Sequence, residues 1–402
     1  MSTQQIISLS DRYLMKTYAR HPIAFVRGKG CYLWDAEGKK YLDFLAGIAV
    51  NGLGHSHPVI TAAVAEQAAK LIHTSNLFYN SSQAELAALL CKHSFADKVF
   101  FCNSGAEANE AAVKLARIYQ KGKKGPDCFE ILTMEKSFHG RTLGMIAATG
   151  QDKVKKGFEP MPEGFRHLPY NNLPALAAAM SDQTCAVLLE PVQGEGGVNY
   201  PGSGYLQGVR ELCRKHGALL IYDEVQCGMG RTGKLFAYEH SGVAPDIMTL
   251  AKSLGAGLPI GACLATDEIA AAFQPGSHAS TFGGNFLVCE AAKAFLKVLL
   301  EGGTLSHVVK NGAYLVEQLR GLQKKHLFVK EVRGSGLMVG VELEILAKPL
   351  VERALEEGLI INAPQEKVLR LVPPLIVGYK EIDQAIDILD DVFGEVSGRG
   401  PA

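Results

Sequence analysis

Three stretches of this chain hold residue types that could run chemistry between an amine and a carbonyl compound. The first is Asp246-Ile-Met-Thr-Leu-Ala-Lys252-Ser-Leu-Gly, which puts a lysine at the end of an apolar run with Leu250, Ala251 and Leu254 around it. Desolvation lowers the pKa of an ammonium group and leaves a nucleophile suited to imine formation. Alone, the same stretch also reads as a lysine opening a solvated helix. The second is Ala218-Leu-Leu-Ile-Tyr222, a strand that delivers Asp223 and Glu224 at its carboxyl end, where open α/β sheets bind ligands. A carboxylate there can pair with a protonated ring nitrogen and keep a bound heterocycle electron-withdrawing. An isolated aspartate so placed is more commonly a helix cap or an ion-pair partner. The third runs from Lys98 to Glu110 as a strand, a small-residue turn and a helix, so that Ser104, Gly105 and Ala106 sit at a helix N-terminus. Free backbone N–H groups and a partial charge of roughly +0.5 make such a turn a phosphate site.

Two other stretches imitate functional motifs. Gly228-Met-Gly-Arg-Thr-Gly-Lys234 follows a strand and nearly matches a nucleotide-binding P-loop, but Leu235 replaces the serine or threonine that would hold magnesium. His55 and His57 in Gly-His-Ser-His-Pro lack a third ligand cluster, so they read as a structural turn rather than a metal pair.

The elements that must position these residues are short apolar runs alternating with helix-length amphipathic segments between about residues 95 and 265, the pattern of a mainly parallel sheet with helices on both faces. Strands are expected at Lys98 to Cys102, Phe129 to Met134, Cys185 to Leu189, Ala218 to Tyr222, Asp246 to Leu250 and Ile260 to Leu264. The last hundred residues read as a smaller α+β domain, with strands at Leu337 to Leu343 and Leu359 to Ala363 and helices near Lys348 to Glu357 and Lys380 to Phe393. Residues 1–50, with a hairpin around Glu37-Gly38, have too little apolar surface to stand alone and are expected to pack with that domain. The expected division is thus 1–50, a large domain over 51–300 and a small one over 301–402.

At 402 residues, two or three domains of ~150 residues are expected. Lys plus Arg and Asp plus Glu both total 41, without a run of like charge, which argues against nucleic acid and membrane surfaces as partners. The nine cysteines are scattered with no C-x-x-C pair, which argues against a disulfide framework or a zinc site and for a reducing cytoplasm. No apolar stretch approaches the ~20 residues of a spanning helix, and the N-terminus does not read as a signal peptide.

Phosphate turn, aspartate and lysine, in this order, resemble the class III (ornithine-type) aminotransferases, and the likeness runs nearly end to end. It implies a fold-type I pyridoxal-phosphate transferase with a seven-stranded sheet, pyridoxal 5'-phosphate bound as an imine at Lys252, and Asp223 on its ring nitrogen. It further implies that Phe138 stacks on that ring, that Arg141 grips a substrate carboxylate, and that Gln226 lies near the cofactor's phenolic oxygen. Ala279-Ser280-Thr281-Phe-Gly-Gly-Asn resembles the segment that reaches the partner's cofactor phosphate in this family, which implies a homodimer. Glu195 resembles the family's gating glutamate and Arg370 the arginine it covers.

The reaction implied is transfer of the terminal amino group of N2-acetyl-L-ornithine to 2-oxoglutarate. Ile48 stands where ornithine-specific members carry a tyrosine, which suits a blocked α-amine, and Tyr18 matches a second pocket tyrosine. Ornithine or 4-aminobutyrate transamination, an aminomutase or decarboxylase on the same fold, and a catalytically silent cofactor-binding protein are the alternatives.

Overall fold

A computed structural model describes residues 1–397; the last five residues of the 301–402 region lie outside it. Its centre is a seven-stranded sheet. In spatial order the strands are Lys98–Cys102, Gly261–Ala265, Ile247–Leu250, Leu219–Asp223, Thr184–Leu189, Glu130–Met134 and Phe165–Leu168. Gly261–Ala265 runs antiparallel to both neighbours, and the other adjacent pairs are parallel.

The inner strands, such as Thr184–Leu189, read as nearly continuous apolar runs because both faces are covered. Along Leu219–Asp223, Leu219 and Ile221 join Ala112, Leu115 and Ile247 in one core, while Leu220 and Tyr222 join Leu206, Val209 and Cys213 in the other. That period of two places the helix Gly105–Lys124 on one face and Tyr205–His216 on the opposite one.

The smaller sheet is antiparallel, in the order Val329–Ser335, Met338–Leu343, Val368–Leu371 and Asn362–Gln365. Glu37 and Gly38 lie in the turn of the expected hairpin, between Tyr32–Asp35 and Lys40–Asp43. Leu359–Ile360 then adds to Lys40–Asp43 in parallel register, Leu359 facing Leu42.

That pairing corrects one expectation. Leu359 to Ala363 is not a single strand: the chain leaves one sheet after Ile360 and enters the other at Asn362, with Ile361 buried at the crossing. Phe165–Leu168, absent from the sequence reading, is a short edge strand with the polar Arg166 and His167 in it. No helix among the described residues is long and apolar enough to cross a membrane.

Candidate active site

The carboxyl end of Leu219–Asp223 delivers Asp223 into a cavity of about 440 Å³ lined by Ser104–Ala106, Phe138, Arg141, Gln226 and Lys252, among others. Asp223 is buried, and its oxygens accept from His139 Nδ1 at 2.8 Å, Asn109 Nδ2 at 2.7 Å and the Val225 N–H at 3.0 Å. Asn109 is itself oriented, because its Oδ1 accepts from Thr249 Oγ1 at 2.7 Å. Glu224, delivered beside Asp223, instead caps the turn Ala237–His240 by accepting the N–H groups of Ala237 and Tyr238 at 2.6 and 2.7 Å.

Lys252 follows the strand Ile247–Leu250 and opens a single 3-10 turn, Lys252–Gly255, with φ +48. The plainer reading, a solvated helix start, does not hold. Its side chain keeps some surface toward the cavity, yet it lies deep in protein. Desolvation pushes its pKa down to about 8 against the pull of the Glu195 charge.

At the opposite wall Ser104 caps the helix Gly105–Lys124, its hydroxyl accepting from the Glu107 N–H at 3.2 Å. The remaining first-turn N–H groups have no partner within the helix by construction. A Cβ at Gly105 would lie 2.8 Å from the Val225 side chain, so a small residue lets the turn close on the cavity. The Arg141 guanidinium lies 5.7 Å from the Phe138 ring centroid on the exposed rim.

The second arginine is reached through Gln226. Arg370, fully buried, donates from Nη1 to Glu195 Oε1 at 2.6 Å and to Gln226 Oε1 at 2.8 Å, and from Nε to Asn362 Oδ1 at 3.1 Å. Burial alone would raise the Glu195 carboxyl; the charges of Arg370 and Lys252 outweigh it and hold the group below its usual range. Arg370 Nη2 is buried without a hydrogen-bond partner among the described residues.

Not every residue implied by resemblance is gathered here. Ser280 and Thr281 line a second cavity with Ser75 to Asn80, and Ser280 Oγ accepts from Asn103 Nδ2 at 3.2 Å. Tyr18 is 73 % exposed on the N-terminal segment and leans on Arg20 rather than on the cavity. Ile48 is 40 % exposed within a left-handed run from Ala46 to Ala49, and Val50 takes the cavity wall instead. In this chain alone, neither Tyr18 nor Ile48 lines the site.

Sequence reasoning missed Asn109, His139 and Glu190. The Glu190 carboxyl lies on the cavity wall and is pushed well above its usual range by burial and by Asp223. Asn109 carried a readable signal, since it interrupts the small apolar stripe formed by Ala108, Ala111 and Ala112.

A desolvated amine, a buried carboxylate and a helix N-terminus suited to phosphate, around one cavity, are the parts expected of an enzyme that handles amino groups through a phosphorylated heterocyclic cofactor. The chain belongs to the aminotransferase class-III family, whose model matches residues 13–393. It is 54% identical over 392 residues to the acetylornithine aminotransferase of Caldanaerobacter subterraneus subsp. tengcongensis, covering 97% of this chain and 100% of that one. The ornithine aminotransferase of Toxoplasma gondii superposes with a TM-score of 0.95 at 34% identity, covering 99% of this chain and 96% of that one. The N-acetylornithine aminotransferase of Stenotrophomonas maltophilia superposes with a TM-score of 0.85 at 38% identity, covering 98% and 100%. Pyridoxal 5'-phosphate is the cofactor of this family and of this chain. The donor set suits it: an amine for its aldehyde, a carboxylate for its ring nitrogen and N–H groups for its phosphate.

Proposed function

We propose that this chain moves the terminal amino group of N2-acetyl-L-ornithine to 2-oxoglutarate, giving N-acetylglutamate 5-semialdehyde and L-glutamate. The observation that carries the reading is the Glu195–Arg370 pair beside Lys252, since a two-substrate transaminase must accept one carboxylate in one half-reaction and two in the other. The acetylated donor is favoured over free ornithine by the 46–54% identical relatives, which are acetylornithine aminotransferases.

Bound pyridoxal phosphate supplies an electron sink for the bond broken at the donor carbon and carries the nitrogen between the two substrates. The chain supplies the rest. Desolvation, which brings the Lys252 pKa down to about 8, favours the neutral amine that a base must be. Its Nζ takes the proton from Cδ of the donor and, in the second half-reaction, delivers one to the keto carbon of 2-oxoglutarate. Asp223, fixed in place by its three donors, would pair with the ring nitrogen. Ser104 to Ala106 would hold the phosphate and Phe138 would pack on the ring.

Arg141 binds the donor's α-carboxylate while Glu195 neutralises Arg370. When 2-oxoglutarate enters, Glu195 withdraws and Arg370 takes the second carboxylate, for which the spare N–H groups at Nη2 are the supporting observation.

Ser280 and Thr281 act in a partner copy of the chain. Leu77, Phe78, Tyr79 and Phe282 near them are exposed, and the helix Thr3–Tyr13 has no buried residue, so a large apolar surface is left for a second copy to cover.

Initial rates with N-acetylornithine, ornithine, N-succinylornithine and 4-aminobutyrate against 2-oxoglutarate test the reading. N-acetylornithine is expected to give the highest kcat/KM; a clear preference for ornithine or 4-aminobutyrate contradicts it.

A further inference from the structure

The carboxylate gate depends on an empty space at one glycine. Gly194 does not have a left-handed backbone, so conformational freedom is not the reason for glycine there. A Cβ on Gly194 would overlap Cδ and Oε1 of Gln226 and lie 2.8 Å from its Nε2. The backbone is tied in place on both sides. The Gly194 N–H donates to Glu190 Oε1 at 3.3 Å, and its carbonyl accepts from the N–H groups of Gly197 and Val198 at 3.3 Å each.

The amide seated against Gly194 bonds to both members of the Glu195–Arg370 pair. Oε1 of Gln226 accepts from Arg370 Nη1 at 2.8 Å, and Nε2 donates to Glu195 Oε1 at 3.2 Å. This orientation is the only one the partners allow, because a guanidinium has no acceptor and a carboxylate no donor. Gln226, Glu195 and Arg370 thus form a closed triangle of hydrogen bonds over a fully buried guanidinium. Nε2 has a second hydrogen left, so the same amide can serve the gate and an oxygen in the cavity at once.

We propose that Gly194 is a positioning residue: its missing side chain makes room for the Gln226 amide, and that amide latches Glu195 onto Arg370. The inference rests on the two-arginine reading given above and adds to it the element that holds the gate shut. Displacing the amide removes one acceptor from Arg370 and one donor from Glu195, so Arg370 is released to a ligand carboxylate. The balance between ligands with one and two carboxylates therefore shifts, whatever happens to turnover.

The test compares dissociation constants of pentanoate and glutarate for the holoenzyme, measured by calorimetry in wild type, Gly194→Ala, Gln226→Ala and the double variant. In Gly194→Ala the preference for glutarate over pentanoate is expected to rise about tenfold, the value of one charge-assisted hydrogen bond. Gln226→Ala is expected to match it, and the double variant to show no further change, since both act through one amide. An unchanged preference in either single variant overturns the proposal. So does a Gly194→Ala effect of equal size in the Gln226→Ala background, because a merely structural fault would persist there. Arg370→Ala serves as the reference: if it leaves glutarate affinity unaltered, the two-arginine reading itself fails and this inference with it.

Discussion

The Glu195 carboxylate lies 2.6 Å from Nη1 of Arg370, closing over a guanidinium that has no exposed surface. A buried arginine released from its carboxylate is costly unless another anion replaces it, so the pair is built for exchange rather than for stability. Arg370→Ala is accordingly expected to slow the 2-oxoglutarate half-reaction by about ten- to a hundredfold, the equivalent of ~1.5–3 kcal/mol, and the donor half-reaction much less. Single-turnover absorbance traces of each half-reaction check this, and equal losses in both would count against the exchange.

Asp223→Asn replaces a charged acceptor by an amide at a position where His139, Asn109 and the Val225 N–H all donate. A fall in kcat of about 10²–10³ is expected, with the melting temperature monitored to show that the fold persists. A variant with ordinary kcat would remove Asp223 from the mechanism.

Lys252 should show its depressed pKa directly. With burial lowering its pKa to about 8, the amine is expected to be mostly unprotonated above about pH 8, whereas an exposed lysine stays mostly charged up to about pH 10.4. In cofactor-free protein, competitive acylation followed by peptide mass analysis is expected to label Lys252 with a midpoint near pH 8, rising with pH. A midpoint in the range of exposed lysines would show that the site does not activate it.

The proposed role of Thr281 in a partner's site is distinguished from a role in its own by a heterodimer. When a Lys252→Ala chain pairs with a Thr281→Arg chain, one of the two sites keeps both native residues, so purified heterodimer should regain about half of wild-type activity. If Thr281 serves its own chain's site, both sites are damaged and no activity returns.

Much of this architecture was legible because the central strands announce themselves. The run Leu219 to Tyr222 is apolar since helices cover both faces, and it ends where Asp223 enters the cavity. Lys252, Asp223 and Ser104 to Ala106 sit at such ends, so their placement followed from the strand pattern. Phe165–Leu168 carried no such mark, being a four-residue edge strand with polar residues in it. The crossing at Ile361 was hidden because an unbroken apolar stretch does not say which sheet each half joins. The His139 contact with Asp223 spans 84 residues of sequence, and nothing local to either residue announces it. Ser280 and Thr281 fall outside the cavity of their own chain, where sequence spacing has no bearing on what they face.

The central claim is that Lys252 is the residue to which the cofactor is joined. Borohydride reduction of the holoenzyme makes that bond permanent, and peptide mapping by mass spectrometry then locates it. A phosphopyridoxyl group is expected on Lys252 in wild type and none on the Lys252→Ala chain. The same group on a different lysine of the wild-type protein, or its absence from all of them, would contradict it.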